Sequence, residues 1–333
     1  MQMIDLDAVT SDNRLALARL LTEVENQTVE GDQALDRLFV RSGQAHLVGV
    51  TGAPGTGKSS LVSCLARNIR AVQQQTVAIV AVDPSSPFTG GAILGDRVRM
   101  RELAGDAGVF IRSMASRGEL GGLARTTAGV VQVLDAAGFD FILIETVGAG
   151  QSEVDIARLA HTTLVVESPG LGDDIQAIKA GILEIADILV INKADLPGAE
   201  NTERALRANL DLGYNLRLNH DSAHKMTLSE VEEKAPGWTP PIIKAVATQH
   251  TGIDEVITAV LRHRDHLKET GLWQQRDRER LRTEVTHLLQ AELMRRWQRS
   301  VSAQSFEKVL QLVFERKVSP GAAIDSLING SYN

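Results

Sequence analysis

The sequence has little of several features that mark particular classes of protein. It contains one cysteine in 333 residues, which excludes a disulfide within the chain and is typical of a reducing cytoplasm. No apolar run approaches the roughly 20 residues that a membrane span needs. Aromatic residues make up 4% of the chain and the formal net charge is −7, so neither a base-stacking surface nor nonspecific nucleic-acid binding is expected. The eight histidines show no spacing typical of metal ligands.

The amino-terminal run MQMIDLDAVTSDN is acidic and polar. It has neither the basic region nor the apolar core of a secretory signal, so we expect a cytoplasmic protein. The one cysteine, Cys64, has Leu61 and Leu65 beside it on a predicted helical face. We therefore expect a buried structural thiol rather than a reactive one.

What the chain does have is a complete phosphate-binding loop. Residues 52–59 read Gly-Ala-Pro-Gly-Thr-Gly-Lys-Ser, the pattern G-x-x-x-x-G-K-[ST], between a strand-like run and the first turns of a helix. Glycines let backbone N–H groups close around a polyphosphate, and the helix N-terminus adds partial positive charge. We expect Lys58 to reach the β- and γ-phosphates and the Ser59 hydroxyl to ligate Mg²⁺. The predicted phosphate-side residues are Gly52, Ala53, Pro54, Gly55, Thr56, Gly57, Lys58, Ser59 and Ser60.

Apolar strand-like runs alternate with helical stretches from residue 46 to residue 247. This alternation predicts an α/β fold of the P-loop NTPase type, with a mostly parallel central sheet flanked by helices on both faces. The predicted strands are 47–50, 76–82, 139–144, 162–166, 187–191 and 242–246. In such sheets ligands bind beyond the carboxyl ends of the strands. The polar residues that follow predicted strands are Asp83, Glu145, Glu167 and Asn192.

Helical periodicity flanks this region on both sides. We predict an N-terminal helical segment (1–42), a P-loop GTPase domain (43–265) and a C-terminal helical arm (266–333). The arm carries one narrow apolar stripe: Leu281, Val285, Leu288, Leu289, Leu293 and Trp297. The stripe packs either on its own domain or on a second subunit, and we favour the second subunit because a narrow stripe on a terminal extension needs a partner.

The tetrapeptide Asn192-Lys193-Ala194-Asp195 directly follows a predicted strand and indicates guanine. A carboxylate such as Asp195 can accept two hydrogen bonds from guanine, and adenine lacks that donor pair, so discrimination comes from an unpaired carboxylate facing the wrong base. We expect GTP rather than ATP. The N-K-x-D motif is usually accompanied by a Ser-Ala or Thr-Ala loop near the base. That companion motif is degenerate in this sequence, and the best candidate for the loop is Ala245, Val246 and Ala247.

Three acids are candidates for the metal side of the site. Glu145-Thr-Val-Gly148 stands where P-loop GTPases place D-x-x-G, in which the acid orients Mg²⁺ through water and the glycine amide senses the γ-phosphate. Asp83 precedes a glycine-rich loop that closes with Asp96, a switch-like arrangement. Each aspartate could instead be a helix cap or a turn residue, an alternative as well supported for Asp96 as the metal role.

A second glycine-rich loop, 169–174, opens a predicted helix that Asp173 or Asp174 would cap. Lys179 lies about one turn into that helix, and its residue type alone favours a solvated surface lysine.

Three sequence motifs together make the chain resemble the MeaB/ArgK family of metallochaperone-type P-loop GTPases. They are residues 82–96 (VDPSSPFTGGAILGD), 145–153 (ETVGAGQSE) and 192–195 (NKAD), and the resemblance runs from about residue 10 to the C-terminus. The resemblance implies a weak GTPase that serves adenosylcobalamin-dependent acyl-CoA mutases such as methylmalonyl-CoA mutase. It implies that the nucleotide cycle gates cofactor delivery and protects or rescues the mutase, and that the C-terminal helices join a homodimer.

By the same resemblance, Asp83, Asp96 and Glu145 match acids around Mg²⁺. Residues 168–179 match an extra switch that couples to the mutase. The switch residues that it indicates are Gln151, Asp173 and Asp174, and it indicates a catalytic role for Lys179 beside Lys58 and Gly148.

The sequence departs from many family members in this switch, where Ala177-Ile-Lys-Ala180 stands for Gly-Ile-Lys-Lys and Pro169 stiffens the loop. The resemblance therefore does not identify which mutase is the partner. Alternatives are a P-loop kinase, in line with the older family name of arginine/ornithine transport system kinase, a metal-delivery GTPase, and a non-catalytic interaction module. The chain has no metal-binding Cys/His motif, which argues against a metal-delivery GTPase. The N-K-x-D motif argues against a kinase.

Overall fold

The computed structural model describes residues 5–84, 100–103, 105–116, 122–146, 152–170, 183–220 and 237–330. The chain divides into two compact units, Met1–Arg280 and Leu281–Asn333. No helix among the described residues is both long and apolar enough to cross a membrane.

The first unit is built on a sheet of parallel strands. Within the described ranges seven strands run in the order β3-β2-β4-β1-β5-β6-β7. The strands are β1 (His46–Thr51), β2 (Val77–Pro84), β3 (Val109–Ser116), β4 (Phe141–Thr146), β5 (Thr162–Glu167), β6 (Ile188–Ile191) and β7 (Ile242–Lys244). The predicted parallel sheet is therefore confirmed. β3 was not among the predicted strands, because Arg112 and Ser113 interrupt its apolar run at the edge of the sheet.

The described residues also form ten α-helices, six of which belong to the two large buried clusters on the sheet. They are α1 (Arg14–Glu25), α2 (Val29–Leu38), α3 (Lys58–Asn68), α4 (Gly122–Ala136), α5 (Ser152–Leu159), α6 (Ala199–His220), α7 (Ile253–Glu269), α8 (Leu272–Ser300), α9 (Ala303–Phe314) and α10 (Pro320–Asn329). Side chains of α1, α2, α4 and α5 form one buried cluster with the sheet, and α3 and α7 form another. Both faces of the sheet are thus covered, as its doubly apolar strands require.

Strand β1 lies at the centre of the sheet, between β4 and β5. Val50 pairs with Glu145 of β4, and Thr51 pairs with Val165 of β5. Since the strands are parallel, their carboxyl ends lie at one edge, and the loop that leaves β1 begins between the ends of β4 and β5.

The second unit is helical and has a small apolar core of its own. Val309, Ala323 and Leu327 are buried there, with Trp297 packed against them. Much apolar surface of this unit is exposed: Val285, Leu288, Leu289, Leu293, Met294, Phe306, Leu310, Phe314, Ile324 and Ile328.

Candidate nucleotide-binding site

The loop 52–59 connects the end of β1 to the start of α3 and packs tightly against neighbouring backbone. Gly52 and Gly57 have positive φ angles, +136° and +89°. A Cβ atom on Gly52 would lie 2.0 Å from the carbonyl oxygen of Val166, and one on Gly57 would lie 2.4 Å from Nδ2 of Asn192. Side chains are excluded at both positions, so the sequence pattern of the loop follows from its packing.

Lys58 is the first residue of α3 and is 5% exposed. Its ammonium group donates hydrogen bonds to the carbonyl oxygens of Gly52 (2.8 Å) and Ala53 (2.9 Å). The lysine therefore folds back inside its own loop. This position places its positive charge where the loop would enclose phosphate oxygens.

Ser59 and Glu145 meet beside the lysine. The Ser59 hydroxyl donates a hydrogen bond of 2.6 Å to Oε1 of Glu145, and both side chains are buried. Asp83 is the next-to-last residue of the neighbouring strand β2, two residues beyond Ala81, which pairs with Glu145. Hydroxyl and carboxylate oxygens are hard ligands of the kind that Mg²⁺ prefers, so the residues fit this ion. Among the described residues there is no group of three His, Cys, Asp or Glu side chains that could hold a metal ion.

Asn192 connects the phosphate loop to residues 245–247, the candidate loop beside the nucleotide base, which is called the base loop below. Its buried amide nitrogen donates to the carbonyl oxygen of Thr56 at 2.8 Å, and its Oδ1 accepts from the backbone N–H of Ala247 at 3.1 Å. The main chain supports the same junction, because the N–H of Ala194 donates to the carbonyl oxygen of Ala245 at 3.1 Å. The structure thus brings 192–195 and 245–247 together beside the loop 52–59.

Lys193 and Asp195 present charged groups at this junction. Lys193 has a positive φ of 55°, and its ammonium group donates to the carbonyl oxygen of Gly55 at 2.7 Å. Asp195 is exposed, which leaves its carboxylate accessible to a base. Ser60, one residue into α3 from Ser59, is partly exposed.

Cys64 lies under the base loop. Its thiol donates a hydrogen bond to the carbonyl oxygen of Ala247 at 3.1 Å, and burial raises the pKa of the thiol. The prediction of a buried structural thiol is confirmed.

Glu167 is a residue of this site to which the sequence pattern assigned no role. It is the last residue of β5 and is buried at 9% exposure. Burial raises the pKa of its carboxyl group to about 7, against the lowering effect of Lys58 and with the charge of Glu153 also raising it. The available signal was an ionisable residue closing an apolar run, Thr-Thr-Leu-Val-Val-Glu.

Six further candidates lie outside the described residues: Asp96, Gly148, Gln151, Asp173, Asp174 and Lys179. The side-chain position of Asp83 is likewise not described, although its backbone belongs to β2.

Comparisons with known proteins identify relatives over nearly the whole chain. A model of the family described as "Methylmalonyl Co-A mutase-associated GTPase MeaB" matches residues 17–302. A candidate GTPase of Pyrococcus abyssi is 41% identical over 98% of this chain and 96% of its own. The GTPase ArgK of Escherichia coli is 35% identical over 79% of this chain and 76% of its own. A crystal structure of an LAO/AO transport system kinase shares the fold, with a TM-score of 0.67 and 24% identity over 98% of this chain and 96% of that one.

Proposed function

Because this chain belongs to the family of methylmalonyl-CoA mutase-associated GTPases, we propose that it binds and hydrolyses GTP as a chaperone of a cobalamin-dependent acyl-CoA mutase. Its nucleotide cycle gates adenosylcobalamin loading and protects or reactivates the mutase in the cytoplasm. The observation that carries the proposal is the position of Lys58 inside a loop that Asn192 ties to the base loop.

The guanine nucleotide spans two neighbouring parts of the site. Its phosphates lie in the loop 52–59, with Lys58 moving from the carbonyl oxygens of the loop to the phosphate oxygens. Its base lies between 193–195 and 245–247, where the exposed carboxylate of Asp195 accepts the two guanine hydrogen bonds. Asn192 positions the backbones of the two loops and does not itself bind the nucleotide, because its side-chain amide already binds the backbones of Thr56 and Ala247.

Mg²⁺ is the metal of this proposal. Ser59 holds it together with Glu145, Asp83 and Asp96, in part through water. When bound, the ion neutralises charge on the phosphate oxygens. The Ser59–Glu145 hydrogen bond of 2.6 Å supports the assignment because it sets the hydroxyl and the carboxylate side by side at the loop.

Hydrolysis is slow in the free protein and is stimulated by the mutase. Negative charge spreads over the γ-phosphate oxygens in the transition state, and a cation placed there lowers the barrier. The sequence words 52–59 and 145–153 contain no arginine. We assign the missing charge to Lys179, in the extra switch 168–179 that carries Asp173 and Asp174. Gly148 senses the γ-phosphate. Gln151, in the same motif 145–153 as Gly148, is a further switch residue.

The arm 266–333 joins two copies of the chain in a homodimer. The apolar side chains of α8 that support this are Val285, Leu289 and Leu293, at 63%, 56% and 55% exposure. They recur every four residues and so lie on one face of the helix. An exposed apolar face of this kind favours burial against a partner.

The test is GTP turnover with and without an adenosylcobalamin-dependent acyl-CoA mutase from the same organism. We expect the mutase to raise the rate of phosphate release, and we expect Lys179→Ala to lower the stimulated rate by roughly 10²–10³-fold. Release of labelled inorganic phosphate, rather than transfer to an acceptor, separates the proposal from a kinase. A rate that no cobalamin-dependent mutase changes would contradict the chaperone role.

A further inference from the structure

The peptide groups on both sides of Ala247 are bound by side chains from two other parts of the fold. The N–H of Ala247 donates to Oδ1 of Asn192, directly after β6, at 3.1 Å. Its carbonyl oxygen accepts the thiol hydrogen of Cys64, on α3, also at 3.1 Å. The N–H of His250 reaches the same oxygen at 3.3 Å. The orientation of the base loop at Ala247 is therefore set by Asn192 and Cys64, which both lie outside the loop.

These contacts close a ring that begins and ends in the phosphate-binding element. Asn192 binds the carbonyl oxygen of Thr56 as well as Ala247. Cys64 lies on the helix that begins at Lys58, directly after the loop that contains Thr56. The ring runs from the phosphate loop through Asn192 to the base loop, and returns through Cys64 and α3. The two loops of the nucleotide site are therefore fixed relative to each other at two points.

The thiol contact lies in the apolar interior. Cys64 is 7% exposed and Ala247 is 4% exposed, and both belong to the buried cluster that α3 and α7 form with the sheet. A second contact from α3 to this region, between Nη1 of Arg67 and Nε2 of His250 at 3.3 Å, is exposed. Water replaces an exposed polar contact at little cost, whereas a buried carbonyl that loses its donor stays unpaid by solvent. The buried thiol therefore has the larger effect on the base loop.

We propose that Cys64 is a positioning residue for the guanine base: its thiol holds the carbonyl group of Ala247 and keeps the base loop where a guanine bound by Asp195 can contact it. Cys64 does not touch the nucleotide, because it acts through the backbone of Ala247. The inference rests on the proposed recognition of guanine and deepens it, and it does not depend on the mutase. The thiol stays reduced and protonated throughout.

This role predicts an effect that is confined to the base side of the site. ADP and GDP present the same diphosphate to the loop 52–59, but only guanine offers the pair of donors that Asp195 accepts. Loss of the thiol should therefore weaken the binding of GDP more than that of ADP. A general loss of stability would weaken both alike. The ratio of the two affinities thus separates a positioning role from a purely structural one.

The experiment measures the affinity of the full chain for Mg²⁺-GDP and Mg²⁺-ADP in the wild type and in Cys64→Ala. We expect the variant to bind GDP roughly three- to tenfold more weakly, the effect of one hydrogen bond, and ADP within about twofold of the wild type. Cys64→Ser keeps a donor on the same carbon atom and should recover most of the GDP affinity. Ser63→Ala is the matched control and should change neither affinity, because Ser63 donates to the carbonyl oxygen of Ser59 within its own helix.

Alkylation of the wild type tests the same contact without a substitution, and so covers the case in which Cys64→Ala does not fold. Cys64 is the single cysteine of the chain, so labelling by iodoacetamide reports on this position alone. Because the thiol is buried, labelling requires local opening of the structure that covers it. At equal saturation, GDP should slow labelling more than ADP does, because only guanine contacts the base loop. Equal protection by the two nucleotides contradicts the inference.

Unchanged GDP affinity in Cys64→Ala overturns the inference. So does an equal loss for GDP and ADP, which indicates a structural role, and so does a Cys64→Ser variant no better than Cys64→Ala, which assigns the effect to packing. Each of these results leaves the proposed GTPase standing as long as the wild type prefers GDP. A wild type that binds GDP and ADP equally overturns the proposed guanine recognition itself, and the inference with it.

Discussion

The hydroxyl of Ser59 donates its hydrogen bond to Oε1 of Glu145 across 86 residues of sequence, at 2.6 Å. The contact joins the first turn of α3 to the end of β4. It forms because Val50, at the end of β1, pairs with Glu145 in the parallel register. A serine predicted from the phosphate-loop motif and an acid predicted from a separate motif thus meet at one point.

Ser59→Ala tests this pair as the metal side of the site. The substitution removes the hydroxyl and leaves Glu145 without that hydrogen bond, which for a charged partner is about 1.5–3 kcal/mol. We expect the Mg²⁺ concentration for half-maximal GTP hydrolysis to rise by roughly ten- to a hundredfold, measured by phosphate release. Ser63→Ala is the matched control, since Ser63 lies one turn further along α3 and donates to the carbonyl oxygen of Ser59. Equal effects of both substitutions would contradict the assignment.

Asp195→Asn tests base recognition. The exposed carboxylate would lose two charge-assisted hydrogen bonds to guanine, at about 1.5–3 kcal/mol each. We expect GTP affinity to fall by a few kcal/mol and xanthine-nucleotide affinity to rise, measured by competition binding. Asp325→Asn, an exposed aspartate of the second unit, serves as the control and should change neither. Equal affinities of the wild type for ATP and GTP would show that Asp195 does not select the base.

The double substitution Leu289→Glu with Leu293→Glu tests the dimer. Charges placed on the exposed apolar face of α8 should prevent its burial against a second copy, because unpaired charges are costly to desolvate. We expect light scattering coupled to size exclusion to change from twice the chain mass to the chain mass. Leu15→Glu, at an equally exposed leucine of α1, should leave the mass unchanged. A wild type that is monomeric at micromolar concentration would refute the dimer directly.

His263 predicts a pH dependence of stability. It is fully buried, with Nδ1 2.9 Å from the Thr162 hydroxyl and Nε2 3.3 Å from Oδ1 of Asp187, and burial lowers its pKa to about 4. The unfolded chain, with an ordinary histidine pKa near 6.5, binds the proton more readily. The contribution of His263 to stability is therefore full above about pH 6.5 and is lost as pH falls toward 4, by up to on the order of 3 kcal/mol.

Urea unfolding between pH 4.5 and 7 measures this contribution as the difference between the wild type and His263→Gln, because the raised pKa of Glu167 acts in the opposite direction over the same range. We expect His263→Gln to lose less stability than the wild type as the pH falls, and His250→Gln, at an exposed histidine, to behave as the wild type does.

Burial also lowers the pKa values of His46 and His161, so part of the loss should remain in His263→Gln. Asp187 does not contribute in this range: burial would raise its pKa, but Arg276 and His263 bring it below its ordinary value. Equal losses of stability in His263→Gln and in the wild type as the pH falls would contradict the prediction.

The local parts of this protein could be predicted because their chemistry is contiguous in sequence. Eight residues suffice to predict a phosphate loop, since backbone N–H groups and a helix N-terminus are the groups that such a loop offers to phosphates. The tetrapeptide 192–195 contains the carboxylate that we predict to face the base. Doubly apolar strands separated by helices imply a parallel sheet whatever its order. The edge strand β3 escaped prediction because its polar residues break that pattern.

Only the tertiary structure decided which of these residues act on one another. Asn192 binds Thr56 from 136 residues away, and nothing in N-K-x-D indicates that its asparagine ties two loops together. Glu167 ends an apolar strand, and burial raises the pKa of its carboxyl group to about 7, with Lys58 lowering it and Glu153 raising it. Sequence alone determines the ligand class through short backbone-built motifs. The charge state and contacts of the buried groups depend on strand order and register, which are properties of the whole sheet.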